Sequence, residues 1–180
     1  KLSGGRFDFG VGIGWLKEEF EALQIPWPNR AARTRDYLAA MKTVWSEAES
    51  QHQGEYCEFP AVRSYPKPVQ KPYPPIIFGG ESDAALRRVG EIGDGWWGVN
   101  VTPESAKLHM ATIQRYAVAA GRDPSKLFYS VTTGIGQTTT REEVNRFADI
   151  GVDQVIIGAF AASADEYTRL IETNANALIA

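Results

Sequence analysis

Apolar and polar positions change period several times along these 180 residues. Near the start, Phe7, Phe9 and Val11 alternate with polar or small residues, the period of a half-buried strand. Gly10, Gly12 and Gly14 then strip side chains from its far end, where a flat ligand or another backbone can come close. Leu16 to Leu23 reads as a short amphipathic turn or two, broken by Pro26-Trp-Pro28. A longer helix is predicted from about Arg30 to Ala48, with Tyr37, Leu38, Met41, Val44 and Trp45 as its apolar stripe. Residues 51 to 75 read as irregular, and five of the ten prolines lie between Pro66 and Pro75.

From residue 76 a regular alternation sets in. Strands are predicted at Ile76–Phe78, Gly95–Val99, Leu127–Ile135 and Gln154–Gly158. Helices follow each of them: Ala84 to Ile92, Pro103 to Ala120 with Gly121 as its stop, Thr140 to Asp149, and a last helix capped near Ser163. With the first strand this makes five βα units, and such units imply parallel strands joined by crossover helices. The chain is therefore expected to be one α/β domain over residues 1–180, with an irregular proline-rich excursion at about 51–75. A complete eight-stranded α/β barrel typically takes about 250 residues. Five units in 180 residues fit an incomplete TIM (β/α)8 barrel, its last five βα units.

Composition narrows the partners. The net charge of −3 and the scattered Lys and Arg give no basic face for nucleic acid. No apolar run reaches the length of a membrane helix. One cysteine, Cys57, excludes an internal disulfide framework and suits a reducing cytoplasm. His52, His109 and Cys57 have no metal-binding spacing, and His109 is expected to be exposed on its helix. No Walker loop, nucleophile elbow, zinc-protease helix or Rossmann fingerprint occurs.

Two motifs carry candidate chemistry. In Gly79-Gly80-Glu81-Ser82 a strand ends in glycines and runs into a helix, so bare N–H groups and the positive end of the helix dipole meet the solvent, an arrangement that binds phosphate. Read alone, the same residues are a tight turn with Ser82 as an ordinary N-cap. In Gly93-Asp94-Gly95-Trp96-Trp97, paired tryptophans can wall an aromatic-ring site, although adjacent strand residues face opposite sides and one of the pair is expected to be core. Asp94 also reads as a simple turn residue.

These motifs, with the glycine-rich first strand and the Arg30/Arg33 entry to the long helix, resemble the luciferase-like monooxygenase family of flavin and deazaflavin oxidoreductases. Gly10-Val-Gly-Ile-Gly-Trp15 with Glu18-Glu19, and later Lys67-Pro-Val-Gln-Lys-Pro72, resemble its deazaflavin branch. The resemblance implies hydride transfer between a deazaflavin cofactor (coenzyme F-420) and a small organic substrate. The alternatives are an FMN-dependent monooxygenase and a barrel fragment that binds cofactor or partner without turnover. It places Gly12, Gly14 and Trp15 beside the cofactor ring, Gly79, Gly80, Glu81 and Ser82 at its phosphate, Arg33 within reach of that phosphate, and Trp96 at the ring site. Trp15 stands where some deazaflavin sugar dehydrogenases carry a glutamate acid, so their proton-transfer scheme is not expected here. The family's catalytic residues come mostly from its first strands, so no catalytic residue is assigned. The resemblance implies that this chain starts late, at the fourth strand. Part of a barrel has open edges, and a homodimer or a complementing chain is the expected partner.

Overall fold

The computed structural model describes residues 2–134 and 139–178. Contacts divide the chain into two compact units, Lys1–Pro75 and Ile76–Ala180.

The first unit contains β1 (Phe9–Val11), α1 (Lys17–Ala22), α2 (Arg30–Ser46), β2 (Ser50–Gln53) and β3 (Glu58–Val62). Leu38 and Ala40 are the buried face of α2. Trp45 of the same helix meets Phe9 edge-on at 5.3 Å and Tyr73 at 6.3 Å, an aromatic cluster that fastens β1. The stretch expected to be irregular holds an antiparallel hairpin instead. β2 pairs with β3 through His52↔Phe59 and Gln53↔Glu58. Its polar first strand and Pro60 in the second hide it from a pattern search.

A carboxylate holds this hairpin in place. Asp36 on α2 accepts from His52 Nε2 at 2.6 Å and from the backbone N–H groups of Tyr56 and Cys57 at 2.6 and 3.0 Å. A Cβ at Gly54 would fall on that carboxylate, so only glycine fits there. The His52 hydrogen bond first, then the Tyr56 N–H, hold Asp36 below its ordinary pKa.

The second unit runs β4 (Ile76–Gly79), α3 (Asp83–Ile92), β5 (Gly95–Val99), α4 (Pro103–Ala119), β6 (Phe128–Thr132), α5 (Arg141–Asp149), β7 (Gln154–Ile156) and α6 (Ala164–Leu178). The strands lie in that order and all three pairings are parallel. Ile135, placed in the third of these strands by pattern, lies outside the described residues. Phe78, Trp96 and Val131 point from the sheet into a core shared with Val89, Ile113 and Phe147, all buried. Gly90 lets α3 and α4 approach closely: a Cβ there would lie 2.5 Å from Tyr116 Cβ and 2.7 Å from the Ile113 carbonyl oxygen. Side chains cap the helix starts, with Thr102 and Ser105 in a capping box and Thr140 accepting from Glu143 N–H. Gly121 at φ +70° closes the turn after α4.

At the amino ends of these strands two aspartates do the same job. Asp94 N–H donates to the Ile76 carbonyl at 2.8 Å, while Asp94 Oδ2 accepts from Ile76 N–H at 3.0 Å. Asp153 repeats this with Tyr129, at 2.9 and 2.8 Å. Each side chain accepts from an N–H at the start of a strand, the first residue of β4 and the second of β6, whose first N–H donates to the Asp94 carbonyl instead. Arg122 closes the same end by donating to the carbonyls of Val89, Gly90 and Gly93.

Candidate functional site

The carboxyl ends of β4 and β5 form the candidate site of the second unit. Gly79 lies opposite Trp97 in the parallel ladder, so the missing side chain and the indole share one face of the sheet. A Cβ at Gly79 would meet only Trp97, at the ordinary contact distances of 3.8 and 4.0 Å. Gly80 follows at φ +106°, a conformation costly for any residue with a side chain, and its absent Cβ would sit 3.1 Å from Ala85 Cβ. Ser82 then caps α3, its hydroxyl accepting from Ala85 N–H at 3.3 Å. The remaining first-turn amides of α3 have no partner within the helix, which leaves donors and the positive dipole end at this turn.

The two tryptophans divide as adjacent strand residues must, and the structure settles which is which. Trp96 is fully buried on the helix side, edge-on to His109 of α4 at 5.6 Å. It cannot wall a ring site. Its indole N–H instead donates to the Gly80 carbonyl oxygen at 2.9 Å, so it acts on the turn from beneath. Trp97, 40% exposed, is the indole on the open face, steadied by its N–H donating to Thr132 Oγ1 at 2.8 Å. His109, expected on the surface, is half-buried by the Trp96 contact.

Glu81 turns sideways. Its Oε1 accepts from Val99 N–H at 2.9 Å and ties the turn to the end of β5. Asp83, the first residue of α3, accepts from the Tyr116 hydroxyl at 2.7 Å, and that carboxylate raises the Tyr116 pKa. Two carboxylates thus flank the turn, each already engaged by a donor.

The predicted residues of the first unit are arranged as follows. No atom lies within 4 Å of the absent Cβ of Gly12, at the end of β1. Gly14, at φ +79°, makes room for the Phe20 ring. Trp15 is 84% exposed. Arg33 donates to the Pro26 carbonyl at 2.9 Å and lies over the Tyr56 ring at 5.4 Å, so its guanidinium organises the loop before α2. Arg30 stacks 3.7 Å above Trp27. Pattern reasoning missed the Asp36 clamp, the Trp97–Thr132 bond and the Glu81–Val99 tie, all of which join residues distant in sequence.

In α/β barrels ligands bind at the carboxyl ends of the strands, and the glycine turn and the exposed indole lie at that end. The chain belongs to the luciferase-like monooxygenase family, whose model matches residues 1–177. It is 28% identical over 173 residues to the uncharacterized protein Rv0953c of Mycobacterium tuberculosis, covering 95% of this chain and 59% of that protein. It is 31% identical over 124 residues to an FMNH(2)-dependent dimethylsulfone monooxygenase of Pseudomonas putida, covering 67% of this chain and 34% of that one. Among solved structures, the coenzyme F-420 dependent tetrahydromethanopterin reductase of Methanopyrus kandleri superimposes with a TM-score of 0.77 at 15% identity, over 99% of this chain and 75% of that chain. At that identity the likeness defines the fold, an incomplete (β/α)8 barrel. The chain spans 59% of the length of the first of these relatives. No described helix is long and apolar enough to cross a membrane.

Proposed function

We propose that this chain carries the cofactor site of a deazaflavin-dependent oxidoreductase. One observation supports this above the others: the side-chain-free Gly79–Gly80 turn, capped by Ser82, shares its strand ends with the exposed Trp97 indole. The donor set suits a tricyclic ring that bears a phosphate. The turn's amides and the α3 dipole would hold the phosphate, and Trp97 would cover one edge of the ring. When bound, coenzyme F-420 would supply hydride chemistry with a small organic substrate. The protein's share is to bind, orient and exclude water, and Trp97 and the turn are the residues placed for it. Gly12, Gly14, Trp15 and Arg33 keep their candidate cofactor roles within the first unit. No catalytic residue is assigned, and a cytoplasmic setting with the free thiol of Cys57 fits the chemistry.

FMN is the second reading, favoured by the 31% identity to the FMNH(2)-dependent monooxygenase. A third, binding without turnover, is favoured by the share of the relatives' length that the chain spans. A homodimer or complementing chain would meet the outer edge of β7, which pairs only with β6 among the described strands of its unit. Gel filtration with intact mass tests that association, and a monomer at working concentration would remove it.

A fluorescence titration with coenzyme F-420, repeated with FMN as competitor, tests the cofactor reading. Saturable binding that FMN does not displace supports the deazaflavin assignment. Displacement by FMN at comparable concentration favours the second reading, and no binding of either removes the cofactor site from this chain.

A further inference from the structure

We propose that Trp96 and Glu81 are positioning residues that aim one backbone N–H of the glycine turn at the ligand's phosphate. This rests on the reading above and adds to it the device that sets the turn's direction. The Gly80–Glu81 peptide is trans, since the cis bonds among the described residues are Tyr65–Pro66 and Lys71–Pro72. In a planar trans peptide the C=O and the following N–H point in opposite directions. Trp96 takes the Gly80 carbonyl oxygen at 2.9 Å from the buried, helix-facing side of the sheet. The Glu81 N–H is therefore turned away from the core, toward the open side of the turn.

Two further features keep that plane from rotating. Trp96 is wholly buried, and Gly98 beneath it leaves room for the ring, because a Cβ there would overlap the indole. From the exposed side, Glu81 Oε1 accepts from Val99 N–H at 2.9 Å and pins the residue that carries the aimed N–H. Gly80 needs this support, because a glycine at φ +106° has many other conformations open to it. A preorganised donor binds an anion better than one that must first be ordered.

The test compares each ring with and without its phosphate: FMN against riboflavin, and coenzyme F-420 against its phosphate-free deazaflavin. The readout is the ratio of the two dissociation constants, which a merely structural role would leave unmoved. In the unaltered chain at least one pair should differ by about tenfold or more in favour of the phosphorylated form. Trp96→Phe keeps an aromatic ring but loses the N–H, and should cut that ratio by about fivefold or more, with phosphate-free binding little changed. Glu81→Ala and Glu81→Gln remove the same charge, but only glutamine still accepts from Val99 N–H. Glu81→Ala should lower the ratio and Glu81→Gln should restore it. These exposed-site variants keep the test open if Trp96→Phe fails to fold. A preference for phosphate that persists in Glu81→Ala and in folded Trp96→Phe would overturn the positioning role and leave the cofactor reading standing. No preference in the unaltered chain would overturn the positioning role and take the phosphate out of the reading above, whereas no binding of any of the four compounds would remove the cofactor site itself.

Discussion

The two ends of the parallel strands in the second unit treat orphan backbone groups in opposite ways. At the amino ends, Asp94 and Asp153 answer the N–H groups of Ile76 and Tyr129 with carboxylates, and Arg122 takes up nearby carbonyls. At the carboxyl end of β4, glycines leave the turn uncovered, and side chains fix its direction without filling it. The first end is closed by internal partners and serves stability. The second is held by side chains yet left uncovered, as the proposed ligand site requires. Asp36 in the first unit belongs with the closed kind, since it too spends a carboxylate on backbone N–H groups.

Substitutions that break one end and spare the other sharpen this contrast. The largest effect is expected from Gly80→Val. A β-branched residue would be forced to φ +106° there and would crowd Ala85. It should lower cofactor affinity about tenfold or more and cost about 1–3 kcal/mol of stability. Affinity measured by titration and unfolding by urea should both move, and unchanged affinity would detach the turn from the site. Next comes Asp94→Ala, which leaves the N–H of fully buried Ile76 without its acceptor. Unfolding free energy should fall by about 1–3 kcal/mol, while the titration midpoint of the folded variant stays in place.

The smallest effect at neutral pH belongs to Asp36. Its folded pKa is depressed below the ordinary 3.8, so its contribution is present above that value and is lost as pH falls through it toward the lower, folded value. The urea midpoint should therefore drop between about pH 5 and pH 3, and Asp36→Asn should make that drop shallower. An unchanged slope in the variant would mean that the clamp contributes nothing on acidification.

Much of the α/β alternation was legible because each helix after residue 76 carries its own cap and its own period, local signals that one sequence contains. The hairpin at β2 and β3 was not, because the carboxylate that ties it down is Asp36, 16 to 21 positions away, and Ser50-Gln-His-Gln53 has no apolar alternation. The glycine turn was visible as Gly79-Gly80 before a capping serine. The division of labour between Trp96 and Trp97 was not, since alternation says that they part but not which one faces the core. Asp94 shows the same limit: a turn residue by pattern, it is a cross-strand acceptor in space.

The unlike surroundings of the two adjacent indoles have an optical consequence. Trp96, sealed in the core, should emit toward the blue, and Trp97, 40% exposed on the open face, toward the red. A flavin-type ring settling against Trp97 should quench the red component first. Subtracting the spectrum of Trp97→Phe would isolate that signal from Trp15, Trp27 and Trp45. The two indoles would then serve as an optical gauge of occupancy at the proposed site.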